Sequence, residues 1–259
     1  MLKGLYTAYT GMINEQHRMD TMTNNLANAD TIGFKKEGTT SQAFDTVLAY
    51  KIKDQSEAGG LPKRIGGMNM GVKIGENYVD YSEGGLKETG NTFDLALSSN
   101  GFFTIEYTNK AGDTSTLYTR DGNFTMDSQG YLRTQDGDYV LNDRGRRIRL
   151  NPALDTSIDR AGNVYQDGSQ VAALGITDFE DYDYLERFGE NCFQAVEGAK
   201  ETEPTETQIY SGFLEMANVS IVTEMVNMIS IQRQYESNQK LITTYDETLD
   251  TAVNQLGKV

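Results

Sequence analysis

The sequence predicts an α+β protein: long N- and C-terminal helices that pair as a coiled coil, with a central, mostly antiparallel β domain between them. Three observations predict it. All three prolines, Pro62, Pro152 and Pro204, lie in the middle of the 259-residue chain, and because proline breaks helices, both ends are open to long ones. Both ends carry a residue column at a seven-residue spacing, which keeps one stripe turned toward a partner helix. Between them, pairs such as Asp121-Gly122, Gln129-Gly130, Asp136-Gly137, Arg144-Gly145 and Asp167-Gly168 cut the chain into short alternating runs.

At the N-terminus the column is Leu5, Met12, Met19 and Leu26, with Ala8, Glu15 and Met22 three residues on. The helix closes in Asn24-Asn25-Leu26-Ala27-Asn28-Ala29-Asp30-Thr31-Ile32-Gly33-Phe34-Lys35. So many Asn and Asp side chains compete with a helix for its backbone hydrogen bonds. The segment therefore reads as a helix end in which Asn25, Asn28, Gly33 and Phe34 form the exit turn, Gly33 in a left-handed conformation and Phe34 packed on an apolar neighbour. Glycines at 59, 60, 66, 67, 71 and 75 follow, and predict an extended connector that is not packed.

The runs Phe102–Tyr107, Thr116–Arg120, Tyr131–Thr134, Tyr139–Leu141, Arg147–Leu150 and Val171–Ile176 read as strands of an antiparallel sandwich or barrel. At the C-terminus the column is Ile221, Met228, Tyr235, Ile242, Leu249 and Leu256, with Met225, Gln232, Gln239, Asp246 and Val253 four residues on. Ser220 is the expected N-cap, with Glu224 in the first turn. The domain boundaries that follow are 1–36 for the N-terminal helix, 37–80 for the connector, 81–211 for the β domain and 212–259 for the C-terminal helix.

Charge divides the same way. Of a net charge of −15, residues 1–36 contribute +1, residues 212–259 contribute −3 and the middle −13. Nearly neutral ends and an acidic middle suit a subunit whose ends pack on copies of themselves. So acidic a chain is no general nucleic-acid binder. No run reaches the 18 or more apolar residues of a membrane span, which argues against an integral membrane protein. Polar residues and glycines from Gly4 to Gly11 interrupt any signal-peptide core, so the chain is expected to be cytosolic or exported without a cleaved signal.

Candidate chemistry is sparse. One cysteine, Cys192, and one histidine, His17, exclude an internal disulfide and multi-Cys or multi-His metal sites. His17 on a half-polar helix has no rigid pocket to serve as a general base. The acidic run Asp178, Glu180, Asp181, Asp183 and Glu186 lacks calcium-loop spacing and reads as a solvated face, with paired carboxylates for glycoside hydrolysis as the sharper alternative. Gly66-Gly67-Met68-Asn69-Met70-Gly71-Val72-Lys73 has no Gly-Lys-Ser/Thr ending and is no phosphate loop. Neither a catalytic residue nor a cofactor or metal site is expected.

The Asn24–Lys35 segment closely resembles the N-terminal signature of bacterial flagellar rod and hook axial proteins. Four further stretches are similar to that family in family order: Thr89–Ala96, Gly101-Phe102-Phe103, Tyr118–Phe124 and the helix Glu224–Asp246. So is Gly212–Val219, where Ala217 stands in place of the usual Ser of the G-x-L-E-x-S-N-V pattern. The length and single compact middle resemble rod proteins of the distal or F type; hook proteins carry larger middle domains.

The resemblance implies a structural subunit, not an enzyme. Its end helices would pair and build the inner tube of a helical polymer that serves as drive shaft and export channel, with the β domain outward. The implied partners are copies of itself, other flagellar rod and hook proteins, and the flagellar type III export apparatus. The implied location is the flagellar basal body, outside the cytoplasmic membrane. A distal-rod role is favoured; the alternatives are a proximal rod paralogue or hook-type axial protein and, more remotely, a carboxylate-based glycosidase acting on cell wall. On this reading Leu5, Met12, Met19 and Leu26 face Ile221, Met228, Tyr235, Ile242 and Leu249, Met225 belongs to the same interface, and Met228→Asp abolishes assembly while the β domain stays folded.

Overall fold

The computed structural model describes residues 2–51, 63–110, 112–189, 191–202 and 207–254. Gly59, Gly60, Pro62, Pro204 and Leu256 lie outside them. The chain forms two compact units, each assembled from separate stretches of sequence.

One unit comprises residues 1–26, 37–80 and 221–259. Its helices are α1, Leu2–Ala27, and α2, Ile221–Asn254. As expected, α2 starts directly after Ser220 and carries Glu224 in its first turn, where a carboxylate is favourable against the helix dipole. The two helices run antiparallel where they touch. A methyl group on Gly4 would lie 2.5 Å from the Tyr245 hydroxyl, and one on Gly11 would lie 3.0 Å from the Asn238 amide. The Gln234 amide, oriented to donate, reaches both Glu15 carboxylate oxygens at 3.2 and 3.3 Å. Glycine inside a helix costs about 1 kcal/mol against alanine; here it makes room for side chains of α2.

Burial along α2 corrects the expected partner column. Met228, Tyr235, Ile242 and Leu249 are half-buried, and the positions that share their face lie three residues on: Ile231 is buried, and Asn238, Tyr245 and Ala252 are half-buried. Met225, Gln232, Gln239, Asp246 and Val253 are exposed, as is Ile221. The reason is chemical: at these levels the column three residues on offers Ile and Tyr where the other offers Gln and Asp, and burial follows apolar area.

The connector is paired, not loose. Strand β1, Lys36–Ala43, pairs with β4, Val72–Asp80, and β2, Val47–Lys51, pairs antiparallel with β3, Lys63–Met68. A row of polar side chains ties β1 to α1. The buried Asn25 amide accepts from Glu37 N (2.9 Å) and donates to Glu37 O (2.8 Å), as a neighbouring strand would. The Thr21 and Thr39 hydroxyls meet at 3.0 Å, and Asn14 and Ser41 exchange two hydrogen bonds. Such a ribbon is marginal in isolation; the helix supplies the second layer.

The other unit comprises residues 27–36 and 81–220. Its main sheet runs, in spatial order, Leu185–Phe188, Cys192–Ala195, Thr114–Thr119, Phe102–Thr108, Tyr139–Val140, Leu132–Thr134, Phe124–Met126, with Ile176–Phe179 also paired to Phe102–Thr108. The described pairings are antiparallel. Thr156–Ile158, Asn163–Gln166 and Ser169–Ala173 form a smaller sheet. Its two-residue turn has both Asp167 (φ +50°) and Gly168 (φ +74°) left-handed, as a tight hairpin requires. Arg147–Leu150, expected as a strand, makes only isolated bridges at Arg147 and Arg149, though Ile148 and Leu150 are buried. The core gathers Leu95, Leu97, Phe103, Ile105, Leu117, Phe124 and Ile209, among others.

Candidate functional site

The segments carrying the family resemblance are far apart in sequence, yet within the β unit they converge on one buried carboxylate. Glu215 is 1% exposed. Its Oε1 accepts from Lys35 Nζ at 2.6 Å and from the Gly84 amide at 3.0 Å, and its Oε2 accepts from Arg120 at 3.4 Å. Lys35 and Arg120 are each 2% exposed. Lys35 also donates to Ser82 O at 2.7 Å, and the Arg120 guanidinium lies 5.3 Å from the centre of the Phe102 ring. Burial pushes the Lys35 ammonium below its ordinary value, while the Glu215 charge and hydrogen bond oppose that shift.

The backbone closes around the same point. Gly33 N donates to Glu215 O at 2.8 Å, and Lys36 N donates to Asn218 Oδ1 at 2.7 Å. Gly33 sits at φ +68°, and a Cβ there would lie 2.4 Å from Asp121 N and 2.6 Å from Arg120 C. Glycine is thus required twice over, by conformation and by contact. Phe34 is fully buried beneath the Arg187 guanidinium, 4.4 Å from its ring centre. The Thr89–Ala96 stretch joins through Asp94, which accepts from Thr89 (2.6 Å) and Asn91 (3.0 Å) and whose carbonyl accepts from Gly212 N (2.8 Å). Buried, hydrogen-bonded and closed, this cluster ties chain segments together; it is not shaped to receive a substrate.

The singled-out residues divide by place. Gly33 and Phe34 stand in the buried cluster, and Asn28 accepts the Thr31 hydroxyl (3.2 Å) and amide (3.1 Å) in the turn before it. Asn25 bonds to the β1 backbone instead of capping α1. Leu5, Met12, Met19 and Leu26 are half-buried on α1; the contacts to α2 described above come from Gly4, Gly11 and Glu15, one residue behind or three ahead. Sequence reasoning missed Lys35, Arg120, Glu215 and Asn218 as a group, although each lies inside a quoted motif. His17 is half-buried, its Nδ1 without a hydrogen-bond partner among the described residues. The acidic run is partly spent on local structure: Asp178 accepts the Tyr182 hydroxyl, Asp181 caps a short 3-10 turn and Glu180 pairs with Lys200.

The helices also expose apolar side chains. On α1 these are Tyr6, Tyr9 and Ile13; on α2 they are Ile221, Val222, Met225, Val226 and Ile229, with Val222 73% and Val226 60% exposed. They are three and four residues apart, so each set forms a stripe along one helix face. No described helix is long and apolar enough to cross a membrane.

Comparison with known proteins gives matches along the chain. Residues 5–35 match the family described as flagella basal body rod protein, residues 96–166 the flagellar hook protein FlgE/F/G D1 domain, and residues 210–256 the flagellar basal body rod FlgEFG protein C-terminal region. The chain is 37% identical to the flagellar basal-body rod protein FlgG of Bacillus subtilis, over 98% of this chain and 99% of that one. It is 30% identical to the flagellar basal-body rod protein FlgF of Caulobacter vibrioides over the full length of both, and equally so to the flagellar hook-basal body complex protein FlhO of Bacillus subtilis. The buried cluster joins residues from all three matched regions or their borders, and the chain belongs to the family of flagellar basal-body rod proteins, which are structural proteins and not enzymes.

Proposed function

We propose that this chain is a structural subunit of the flagellar rod that polymerises helically through α1 and α2, building the drive shaft and the channel within it. The observation that carries this reading is the pair of exposed apolar stripes on the terminal helices. Contiguous apolar surface of this kind marks an interaction site, and in a repeating polymer each copy can cover its neighbour's stripe. Coiled-coil pairing of α1 with α2 is part of the proposal, supported by their antiparallel contacts and by the alternating three- and four-residue spacing of the half-buried positions and buried Ile231 on α2. The β unit faces outward. Within the rod we favour the distal segment; the single compact middle region, without a large inserted domain, speaks against a hook-type place. Export through the flagellar type III apparatus belongs to the same reading.

Val226→Asp tests it more sharply than Met228→Asp, because Met228 is half-buried in the chain's own seam whereas Val226 is exposed. The expected result is an unchanged circular dichroism spectrum and unfolding temperature of the purified chain, with no rod incorporation in cells. Normal swarming and normal basal bodies in that variant would overturn the proposal.

A further inference from the structure

The exposed stripe of α1 and a groove on α2 fit each other, but not within one chain. The groove, about 390 Å³, is lined by Val226, Ile229, Ser230, Arg233, Gln234 and Ser237. Val226, Ile229, Ser230 and Arg233 stand at i, i+3, i+4 and i+7, the four corners of a hole that takes one side chain of a facing helix. Ser230, Arg233, Gln234 and Ser237 repeat that spacing one turn on, and Val222, Met225, Val226 and Ile229 one turn back. All of these residues are exposed, so three consecutive holes stand open. On α1, Tyr6, Tyr9 and Ile13 are 46%, 48% and 38% exposed, three and four residues apart. They are knobs at the spacing such holes accept.

A chain cannot fill its own groove. The side of α1 that meets α2 carries Gly4, Gly11 and Glu15, against Tyr245, Asn238 and Gln234. Those contacts put Tyr9 level with Lys240, about ten residues, or ~15 Å along a helix, from Ser230. In a helical polymer every copy shares one polarity, so α1 of one copy meets α2 of another antiparallel. In that orientation, Tyr9 in the middle hole brings Ile13 to the hole made of Val222, Met225, Val226 and Ile229, and Tyr6 to the hole that holds Arg233. Arg233 has no carboxylate within ion-pair distance among the described residues, and a tyrosine ring offers it a cation–π partner. The same register sets exposed Lys3 level with exposed Glu236. It also brings exposed Asp20 to the start of α2, where a carboxylate is favoured by the helix dipole.

We infer that Tyr6, Tyr9 and Ile13 of one copy seat in this groove on α2 of a second copy, shifted along the helices by about ten residues, ~15 Å. Knobs on one helix and holes on the other make a heterologous contact, which leaves one of each free at the ends and so propagates. The inference rests on the rod reading above and adds which surfaces meet and in what register.

The test is disulfide mapping in assembled basal bodies. Every chain in the experiment carries Cys192→Ser, which removes the native cysteine. Cells make this chain together with a Tyr9→Cys version and a Ser230→Cys version, so that rods assemble from a mixture. Two cysteines bridge only when their Cα atoms come within about 7 Å. Mild oxidation should give a covalent dimer of the two variants, at least tenfold more than when Ser237→Cys replaces Ser230→Cys. A second pair, Gln16→Cys and Thr223→Cys, reads the same register with all three knobs intact and should also give the dimer. Equal dimer from the Ser230 and Ser237 pairs overturns the inference. So does absence of dimer from the Gln16 and Thr223 pair when both variants are present in the rods, which would leave the groove to another protein. Absence of the unmodified chain from basal bodies would instead refute the rod reading itself.

Discussion

Glu215→Gln removes the carboxylate that two buried cations touch, and the structure sets the size of the effect. Glutamine keeps an acceptor for the Gly84 amide and leaves Gly33 bonded to the backbone carbonyl. What it cannot do is balance Lys35 and Arg120, both 2% exposed. Breaking a buried pair by removing one partner costs about 3–5 kcal/mol. An independent ceiling comes from Lys35, which can fold neutral. Deprotonating an amine of ordinary pKa 10.5 at pH 7 costs about 3.5 pH units at roughly 1.4 kcal/mol each, or about 5 kcal/mol. The two figures agree.

The second figure carries a signature. In the variant, folded Lys35 is neutral while unfolded Lys35 keeps its proton, so the unfolded state binds one proton more. Stability then rises with pH, by roughly 1.4 kcal/mol per unit, until the ordinary lysine value is reached. In the parent chain that rise starts only above the folded value of Lys35. Urea unfolding at pH 7, 8 and 9, followed by the fluorescence of the 15 tyrosines in a chain without tryptophan, reads both quantities. The expected variant loses about 3–5 kcal/mol at pH 7 and regains about 3 by pH 9, and Lys35→Met in the same chain flattens the slope. A loss under about 1 kcal/mol, or a full loss with no pH dependence, would refute the reasoning.

Two further outcomes follow from the β unit. Gly33→Ala must place a Cβ 2.4 Å from the Asp121 amide at a left-handed φ, and should lower stability by more than the roughly 1–2 kcal/mol of the conformation alone; an unfolding temperature equal to that of the parent would contradict the geometry. Asp121 is pushed up from 3.8 to about 6, chiefly by burial, so its folded form holds a proton more tightly than the unfolded chain does. Its contribution to stability is therefore fullest below pH 3.8 and is lost as pH rises through about 6, by roughly 3 kcal/mol. Asp121→Asn should accordingly unfold at higher temperature than the parent at pH 7, with the gap closing near pH 4; a variant less stable at pH 7 would show that the Asp121 bonds to Asn123 and Asn191 outweigh the burial of its charge.

What could be read in the sequence was local. Seven-residue spacing marked α1 and α2 because a helix face repeats within one or two turns, and Asp167-Gly168 marked a hairpin because two residues suffice to make it. The partner column of α2 was misplaced by one position because either choice yields a heptad, and only packing on α1 separates Ile231 from Gln232. The connector ribbon stayed hidden for a different reason. Asn14, Thr21 and Asn25 look like solvent-facing residues of α1 until β1 is laid against them. Least legible was the charge cluster. Lys35 and Glu215 are 180 positions apart, Arg120 and Glu215 are 95, and no periodicity links residues at such distances. The resemblance marked each segment singly; the fold shows that they meet.

The most direct test of the rod account is deletion of the gene followed by electron microscopy of isolated basal bodies. The account predicts a rod that stops short, without hook or filament, repaired by the parent gene; a long stub would agree with the distal place and a very short one with a proximal place. Complete flagella and normal swimming after deletion, in a strain carrying no second copy, would contradict it.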